Sequence, residues 1–592
     1  MSRNHELAEL FERMAEAVEV QGGNRFKAAA FARVGRVLEG LLEDVEKLVA
    51  EDRLEKVEGI GKSSAQVIRQ YVAEGRADEA DEVLAGVPEG VLAMMGIPGL
   101  GPKWAGRLWK EAGVQSVAEL KAKLDAGGLA TIKGLGEKKL QQMREGIELI
   151  ERAGERTGLL PALMAGEALL EAVRTIPGVK RAELAGSLRR RRETIGDLDI
   201  LCCPSADGGE GVEDIGKAFA SLPDVEEVIA AGTTKTSVRL RAGPQADLRV
   251  VPEANFGSAL LYFTGSKDHN VKLRGMANDR GQTLNEWGLY DRAAFEKAKK
   301  EPGRPPELKA VASDSEEAVY EALGLAWVPP ELREDAGEVE AAAAGKLPRL
   351  IELSDIRGDL HTHTRASDGR GTIEEMALAA KAMGYAYYGF ADHSKSQVQA
   401  SGLDEKRLLK HIEAIRNAAA GIKGIELLVS CEVDILVDGQ LDFPDDVLKE
   451  LDYVVASPHV SLKQAPAKAT DRLLRAIDNR YVSIIGHPTG RLVGTRAGLE
   501  PDMHKLFERA AAGGTALEIN AGWPRLDLRD RHARAAVEAG CMLSINTDAH
   551  SVEGLSGMRL GIAVARRAWV EPARVINTFT TKKLRDFFAA KR

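Results

Sequence analysis

At 592 residues the chain is too long for one hydrophobic core and must divide into several domains. Its 44% hydrophobic and 29% charged content, with no apolar run long enough to cross a bilayer, excludes membrane-embedded and disordered classes. Four cysteines without a CxxC pair suggest neither a disulfide framework nor a zinc knuckle, and the net charge of −9 leaves nucleic-acid binding to local basic patches.

Residues 1–150 read as helical, with apolar residues at helical spacing among Ala, Leu, Glu and Lys. One pattern occurs three times: Val57-Glu58-Gly59-Ile60-Gly61-Lys62, Ile97-Pro98-Gly99-Leu100-Gly101-Pro102-Lys103, and Ile132-Lys133-Gly134-Leu135-Gly136-Glu137-Lys138. The glycines permit a tight turn, and the helix start that follows offers free N–H groups to a phosphate. A single copy could be a plain helix connection. Three copies favour non-specific binding of the DNA backbone through Gly59, Gly61, Lys62, Gly99, Gly101, Gly134 and Gly136.

The segment GSLRRRRETIGDLDIL (186–201) follows. Ile195–Leu201 reads as a strand, so Asp197 and Asp199 share a face and can bridge two divalent cations for in-line phosphoryl transfer. Gly186 and Ser187 supply a close-approach backbone and a hydroxyl beside the basic run Arg189 to Arg192. A third carboxylate, Asp247, ends the hairpin pattern 233–251 in a strand expected to pair back beside the first two. The chance co-occurrence of a Gly-Ser turn and an Asp-x-Asp strand is the plain alternative, and Asp247 weighs against it.

The polar, acidic, Ala-rich stretch 331–349 reads as an interdomain linker. Beyond it short strands and longer helices alternate as in an α/β barrel. Histidines and acids stand at the ends of its apolar strands: His361 and His363, Asp368, His393, Glu432, His459, His487, Asp548 and His550. Imidazole with carboxylate suits Zn²⁺, Mn²⁺ or Fe²⁺. His411, His5, His504 and His532 read as packing or surface residues.

Taken in order, these motifs resemble the bacterial family X DNA polymerases with a C-terminal polymerase-and-histidinol-phosphatase (PHP) domain. The resemblance runs through GS…GDLDI, ADLRVV, YFTGSKDHN, HTHT, ADHS, CEVDI, GHP and TDAH and covers essentially the whole chain. It implies a multidomain α+β and α/β fold. A helical helix-hairpin-helix DNA-binding domain (1–85) and a fingers-like helix-hairpin-helix region (86–150) precede a nucleotidyltransferase palm (151–252) and a thumb (253–335). A linker (336–349) then leads to a distorted α/β PHP barrel (350–592).

By the same resemblance Asp197, Asp199 and Asp247 are catalytic and hold two Mg²⁺ or Mn²⁺ ions. Ser187, Arg190, Gly196 and Arg156 contact the triphosphate. Tyr262, Phe263 and Gly265 belong to the turn that senses the sugar, and Asn270 and Arg274 face the nascent base pair. Arg25 and Lys27 match a 5′-phosphate pocket. The nine histidines and acids of the last domain match a trinuclear PHP site holding up to three Mn²⁺, Zn²⁺ or Fe²⁺ ions, with Asn520, Arg525 and Asp527 in a further motif.

The implied activity is gap-filling DNA-directed DNA synthesis in repair, joined to metal-dependent 3′–5′ exonuclease or 3′-end processing. The implied partners are gapped or primed duplex DNA and deoxynucleoside triphosphates, bound by a monomer in the bacterial cytoplasm at the nucleoid, with no membrane. By the resemblance, Val67 stands where many eukaryotic relatives carry a Schiff-base lysine, so lyase activity by that route is not expected. Two rivals remain at this stage: a nuclease whose polymerase half only targets DNA, and a DNA-end-binding scaffold.

Overall fold

The computed structural model describes residues 3–592 apart from 40–44, 58, 98–99, 130–131, 133, 137–138, 145, 148–155, 206–211, 242 and 299–303. It divides into two units, Met1–Gly154 and Glu155–Arg592.

In the first unit the helices Arg3–Val20 and Arg25–Glu39 bury Leu7, Phe11, Met14 and Val18 against Phe31, Val34 and Leu38, and the Phe11 and Phe31 rings lie 5.9 Å apart. The three-and-four spacing of these residues is what gives each helix one apolar face. A second cluster gathers Val91, Leu100, Leu108, Leu120, Leu135 and Leu140.

The second unit opens with a five-stranded sheet. Its strands are β1 (Val179–Leu184), β2 (Asp197–Pro204), β3 (Val225–Ala231), β4 (Lys235–Leu240) and β5 (Gln245–Val250), in the order β1-β2-β5-β4-β3. β2 and β5 are parallel, with Asp199 opposite Asp247. Leu198 and Ile200 point into the core, so the intervening aspartates must face the other way.

The helices Phe256–Thr264 and Lys267–Asp279 and the hairpin Gln282–Asn285/Gly288–Asp291 follow. Tyr262 and Phe263 thus stand in the last turn of a helix, just before Gly265. The stretch expected as a linker is folded here. Residues Glu338–Ala343 form a helix whose Val339 and Ala342 join the cluster of Leu273, Leu289, Tyr320 and Leu332. Glu338 is fully buried and satisfied: it accepts from the backbone N–H groups of Asp335 and Ala336 and lies 2.6 Å from His269 Nδ1. Low-complexity composition concealed a small apolar face and one well-bonded carboxylate.

The strands after residue 350 are all parallel: β6 (Gly358–Asp359), β7 (Tyr387–Phe390), β8 (Glu426–Val429), β9 (Glu432–Asp434), β10 (Val454–Ser457), β11 (Val482–Ile485), β12 (Ala516–Asn520) and β13 (Leu543–Asn546). They form sheets β6-β7-β8 and β9-β10-β11-β12-β13, linked by single parallel bridges His393–Glu432 and Thr362–Ala549, which curl them into a distorted barrel. Its strands are buried on both faces, as parallel strands under helices must be. The helix Thr581–Lys591 closes one end by stacking Phe588 on Tyr453, ring centroids 4.7 Å apart.

Candidate metal centres and nucleotide cleft

Asp197, Asp199 and Asp247 present carboxylate oxygens within 4.8 Å of one another. Gly186 runs at φ +60°, and a Cβ there would lie 2.1 Å from Asp199 Oδ2. Only glycine lets the turn close this tightly on the carboxylate. Burial, reinforced by Asp197 and Asp247, pushes Asp199 up to about 7. Asp247 is held below its ordinary value: burial opposes this, but Lys235, 2.5 Å away, and Gln245 and Ser237 outweigh it. Three carboxylates this close, one driven toward protonation, form a donor set that divalent cations fit.

Asp197 and Asp199 line an open cleft of about 800 Å³ with Arg156, Gly186, Ser187, Arg190, Arg192, Tyr262, Phe263, Gly265, Asn270, Arg274 and Glu334. Gly196 lies between Ile195 and Asp197, with the Arg156 guanidinium close by. The Arg156 Nε donates to Thr194 Oγ1 at 2.9 Å. Asn270 donates to the Tyr262 carbonyl at 2.7 Å, and Arg274 to the Asn270 carbonyl at 3.3 Å, so both side chains are held at the cleft wall. Arg189 leaves the cleft: it pairs with buried Glu316 at 2.7 Å and binds Thr264.

In the barrel the nine expected ligands converge in four overlapping groups. These are His363, Asp368, His393 and His550; His361, His363 and Asp548; His361, Glu432 and His487; and His393, Glu432 and His459. Glu432 is the hub. Its Oε1 lies 3.3 Å from His361 Nε2, 3.3 Å from His459 Nε2 and 2.8 Å from His487 Nε2, while Oε2 lies 2.8 Å from His393 Nδ1. Burial would raise its pKa, but His459, His361 and His393 hold it well below the carboxylate range. His361 rises well above the ordinary imidazole value because Glu518, Glu432 and Asp548 overcome burial. Burial and the neighbouring His550 and His393 take His363 down to about 4.

His361 Nε2, His363 Nδ1, His393 Nδ1, His487 Nδ1 and Glu432 Oε2 are buried without an aligned hydrogen-bond partner. Buried polar atoms are rarely left so, and imidazoles interleaved with carboxylates are what transition-metal ions require. The residues fit a multinuclear centre.

A further layer orients these ligands, as metal-bound imidazoles commonly require. Glu518 Oε1 lies 2.8 Å from His361 Nδ1 and accepts from Asn546 Nδ2 at 2.8 Å, while its Oε2 accepts from the His487 N–H at 2.7 Å. Asp434 meets His459 Nδ1. Asp392 accepts from Thr364 and Ser367 and lies 2.8 Å from His411 Nε2, so His411 supports the loop between His363 and Asp368. Glu518 and Asp434 stand outside the residues singled out from the sequence, and Asp392, in the ADHS motif beside His393, supports the ligands rather than joining them. A local signal marks the first two: Glu518 with Asn520, and Asp434 with Glu432, stand two apart on barrel strands. In the further motif, Asn520 donates to Asp548 Oδ2 at 3.1 Å and Arg525 Nε lies 3.5 Å from the same atom. Asp527 instead accepts from the backbone of Thr489 and Gly490, bracing the loop after His487.

In the first unit Gly59 and Gly134 adopt φ +97° and +85°. Gly61 and Gly101 cap the helices Lys62–Glu74 and Pro102–Ala112, and the Gly136 carbonyl accepts from the N–H groups of Lys139 and Leu140. Lys62 is exposed at its helix start. Gly99 and the Arg25 side chain lie outside the described residues. Lys27 pairs with Glu79 at 2.9 Å. Val67 is buried in the apolar cluster.

Fold and sites together define a protein with two separate centres for divalent metals, one in a nucleotidyltransferase-like palm and one in a barrel. Family models match as DNA polymerase beta thumb over residues 259–334, PHP domain over 359–521, helix-hairpin-helix domain over 2–77 and SAM-like helix-hairpin-helix tandem over 91–148. The DNA polymerase/3′-5′ exonuclease PolX of Bacillus subtilis (strain 168) is 37% identical over 584 residues, 98% of either chain. A probable phosphatase of Thermoanaerobacter sp. (strain X514) is 28% identical over 245 residues, 40% of this chain and 95% of its own. Among solved structures, Leishmania infantum polymerase beta in a ternary P/T complex is 26% identical, over 42% of this chain and 100% of that one, with a TM-score of 0.28. The chain belongs to the bacterial family X DNA polymerases that carry a C-terminal PHP domain.

Proposed function

We propose that this chain is a DNA-directed DNA polymerase that fills short gaps in repair, joined to a metal-dependent 3′–5′ exonuclease that trims the same class of ends. The observation that carries it is the coexistence of two complete metal-ligand sets, Asp197/Asp199/Asp247 and the nine barrel residues, in one chain of this family.

In the palm, Ser187, Arg190 and Arg156 bind the triphosphate, with Gly196 beside Arg156. Tyr262, Phe263 and Gly265 lie against the sugar, and Asn270 and Arg274 against the nascent pair. Two Mg²⁺ or Mn²⁺ ions held by the three aspartates would acidify the primer 3′-hydroxyl and neutralise the departing pyrophosphate. In the barrel, His361, His363, Asp368, His393, Glu432, His459, His487, Asp548 and His550 hold up to three ions, with Mn²⁺ favoured. These would supply a hydroxide nucleophile and stabilise the leaving alkoxide. Glu518 and Asp434 keep His361 and His459 oriented, and Arg525 offers a guanidinium beside Asp548. The glycine turns and Lys62 of the first unit grip DNA backbone on either side of a gap, with Arg25 and Lys27 near its 5′-phosphate. The enzyme acts as a monomer, in the cytoplasm at the nucleoid.

A one-nucleotide gapped duplex with a labelled primer tests this in Mn²⁺ with and without nucleotides. Asp199→Ala is expected to abolish extension and keep 3′ shortening, and His363→Ala to do the reverse. A wild type that shortens the primer but never extends it would leave the chain a DNA-targeted nuclease.

A further inference from the structure

Arg190, the guanidinium placed to receive the triphosphate, already has both of its forks engaged. Its Nε donates to Glu334 Oε1 at 3.1 Å, and its Nη1 donates to the Thr264 carbonyl. A guanidinium binds a phosphate bidentately either through Nε and Nη2 or through Nη1 and Nη2. Glu334 therefore blocks the first edge and the Thr264 carbonyl the second.

Glu334 lines the nucleotide cleft. Its Oε1 also accepts from Arg567 Nη1 at 2.9 Å, and Oε2 stands 3.7 Å from Arg192 Nη1. Arg567 ends the helix Met558–Arg567 of the barrel domain. Its own position is set by Asp530, which accepts from Nε at 2.9 Å and lies 2.8 Å from Nη2, and its Nη1 donates to the Arg190 carbonyl at 2.9 Å. Its side chain is only 6% exposed, so it is a fixed receiver rather than a mobile surface charge.

We propose that Glu334 is a built-in competitor for the incoming triphosphate and that Arg567, reaching in from the barrel domain, draws it off Arg190 when the nucleotide binds. Arg567 and Asp530 are thus positioning residues for the polymerase centre, contributed by the domain that carries the other activity. The proposal rests on the reading of this cleft as the nucleotide site.

The two residues should shift the nucleotide KM in opposite directions, which loss of packing would not do. Steady-state extension of a one-nucleotide gap by the full chain is the test. Glu334→Gln is expected to lower KM for the deoxynucleoside triphosphate about threefold, and Arg567→Gln to raise it about tenfold, each with kcat within about threefold. Arg567→Lys should recover part of the loss, and the double variant Glu334→Gln/Arg567→Gln should behave like Glu334→Gln. Retained primer shortening by each variant serves as the folding check. A KM raised by both single variants, or moved by neither, overturns the competitor. A wild type without extension overturns the nucleotide-site reading and the competitor with it.

Discussion

At Gly186 the backbone runs at φ +60°, and an added Cβ would lie 2.1 Å from Asp199 Oδ2. The side chain it would strike belongs to the carboxylate trio proposed to hold the palm's metals, so the harm is local and chemical. Gly186→Ala is expected to cut primer extension about 100-fold, the scale of an ångström misplacement at a reacting centre, while leaving 3′ shortening intact. Rapid-quench extension of a gapped primer measures it. At Glu518 the argument is similar but one layer out. Its carboxylate orients His361 and caps the His487 N–H, so Glu518→Gln keeps the shape and loses the charge. Calorimetric titration with Mn²⁺ is expected to show barrel affinity lowered about 10- to 100-fold, with extension unchanged.

Between elements, Glu316 pins the palm's Gly-Ser turn to the end of the thumb. Both of its oxygens accept from Arg189 and from Arg333, and Trp327 Nε1 donates to it at 3.2 Å. Burial would raise its pKa, but Arg333 and Arg189 hold it far below the ordinary value of 4.5. A depressed carboxylate contributes stability that is present above its unfolded pKa and lost as the pH falls through the folded one. Glu316→Gln leaves the buried Arg333 guanidinium and the part-buried Arg189 guanidinium short of a counter-charge and should cost about 3 kcal/mol at pH 7. In urea unfolding, the gap between wild type and variant is expected to narrow as the pH drops below 4.5. A gap that widened there would reverse the assigned sign.

Across the whole molecule, palm and barrel share one apolar cluster running from Leu198 and Val250 to Ile356, Ile519 and Val575. Ion pairs Glu193–Arg491 at 2.8 Å and Glu167–Arg559 at 3.2 Å join the same surfaces, and Glu331–Arg566 at 2.7 Å ties the thumb to the barrel. A continuous core melts cooperatively, whereas residues 1–154 have clusters of their own. Scanning calorimetry should therefore resolve two transitions, not one per motif. Mn²⁺ at 100 times its dissociation constant should stabilise only the larger, by about 2.7 kcal/mol, and chelation should remove the shift. Separate melting of palm and barrel would contradict the shared core.

Much of this was legible in the chain itself because it is local. Alternation put Asp197 and Asp199 on one face, the paired glycines marked helix starts, and apolar strands ending in His or acid marked the rim of a barrel. These patterns depend on spacings of two to four residues, which backbone geometry fixes wherever the segment lies. What only the tertiary structure decided spans long separations. Glu338 is satisfied by His269, Glu518 by His361, and Arg190 shares Glu334 with Arg567. Composition therefore reads 336–349 as a linker, and reads Arg189 as one more residue of a basic run although it pairs with the buried Glu316. Burial and pairing of charges depend on which distant elements meet, and no local spacing encodes that.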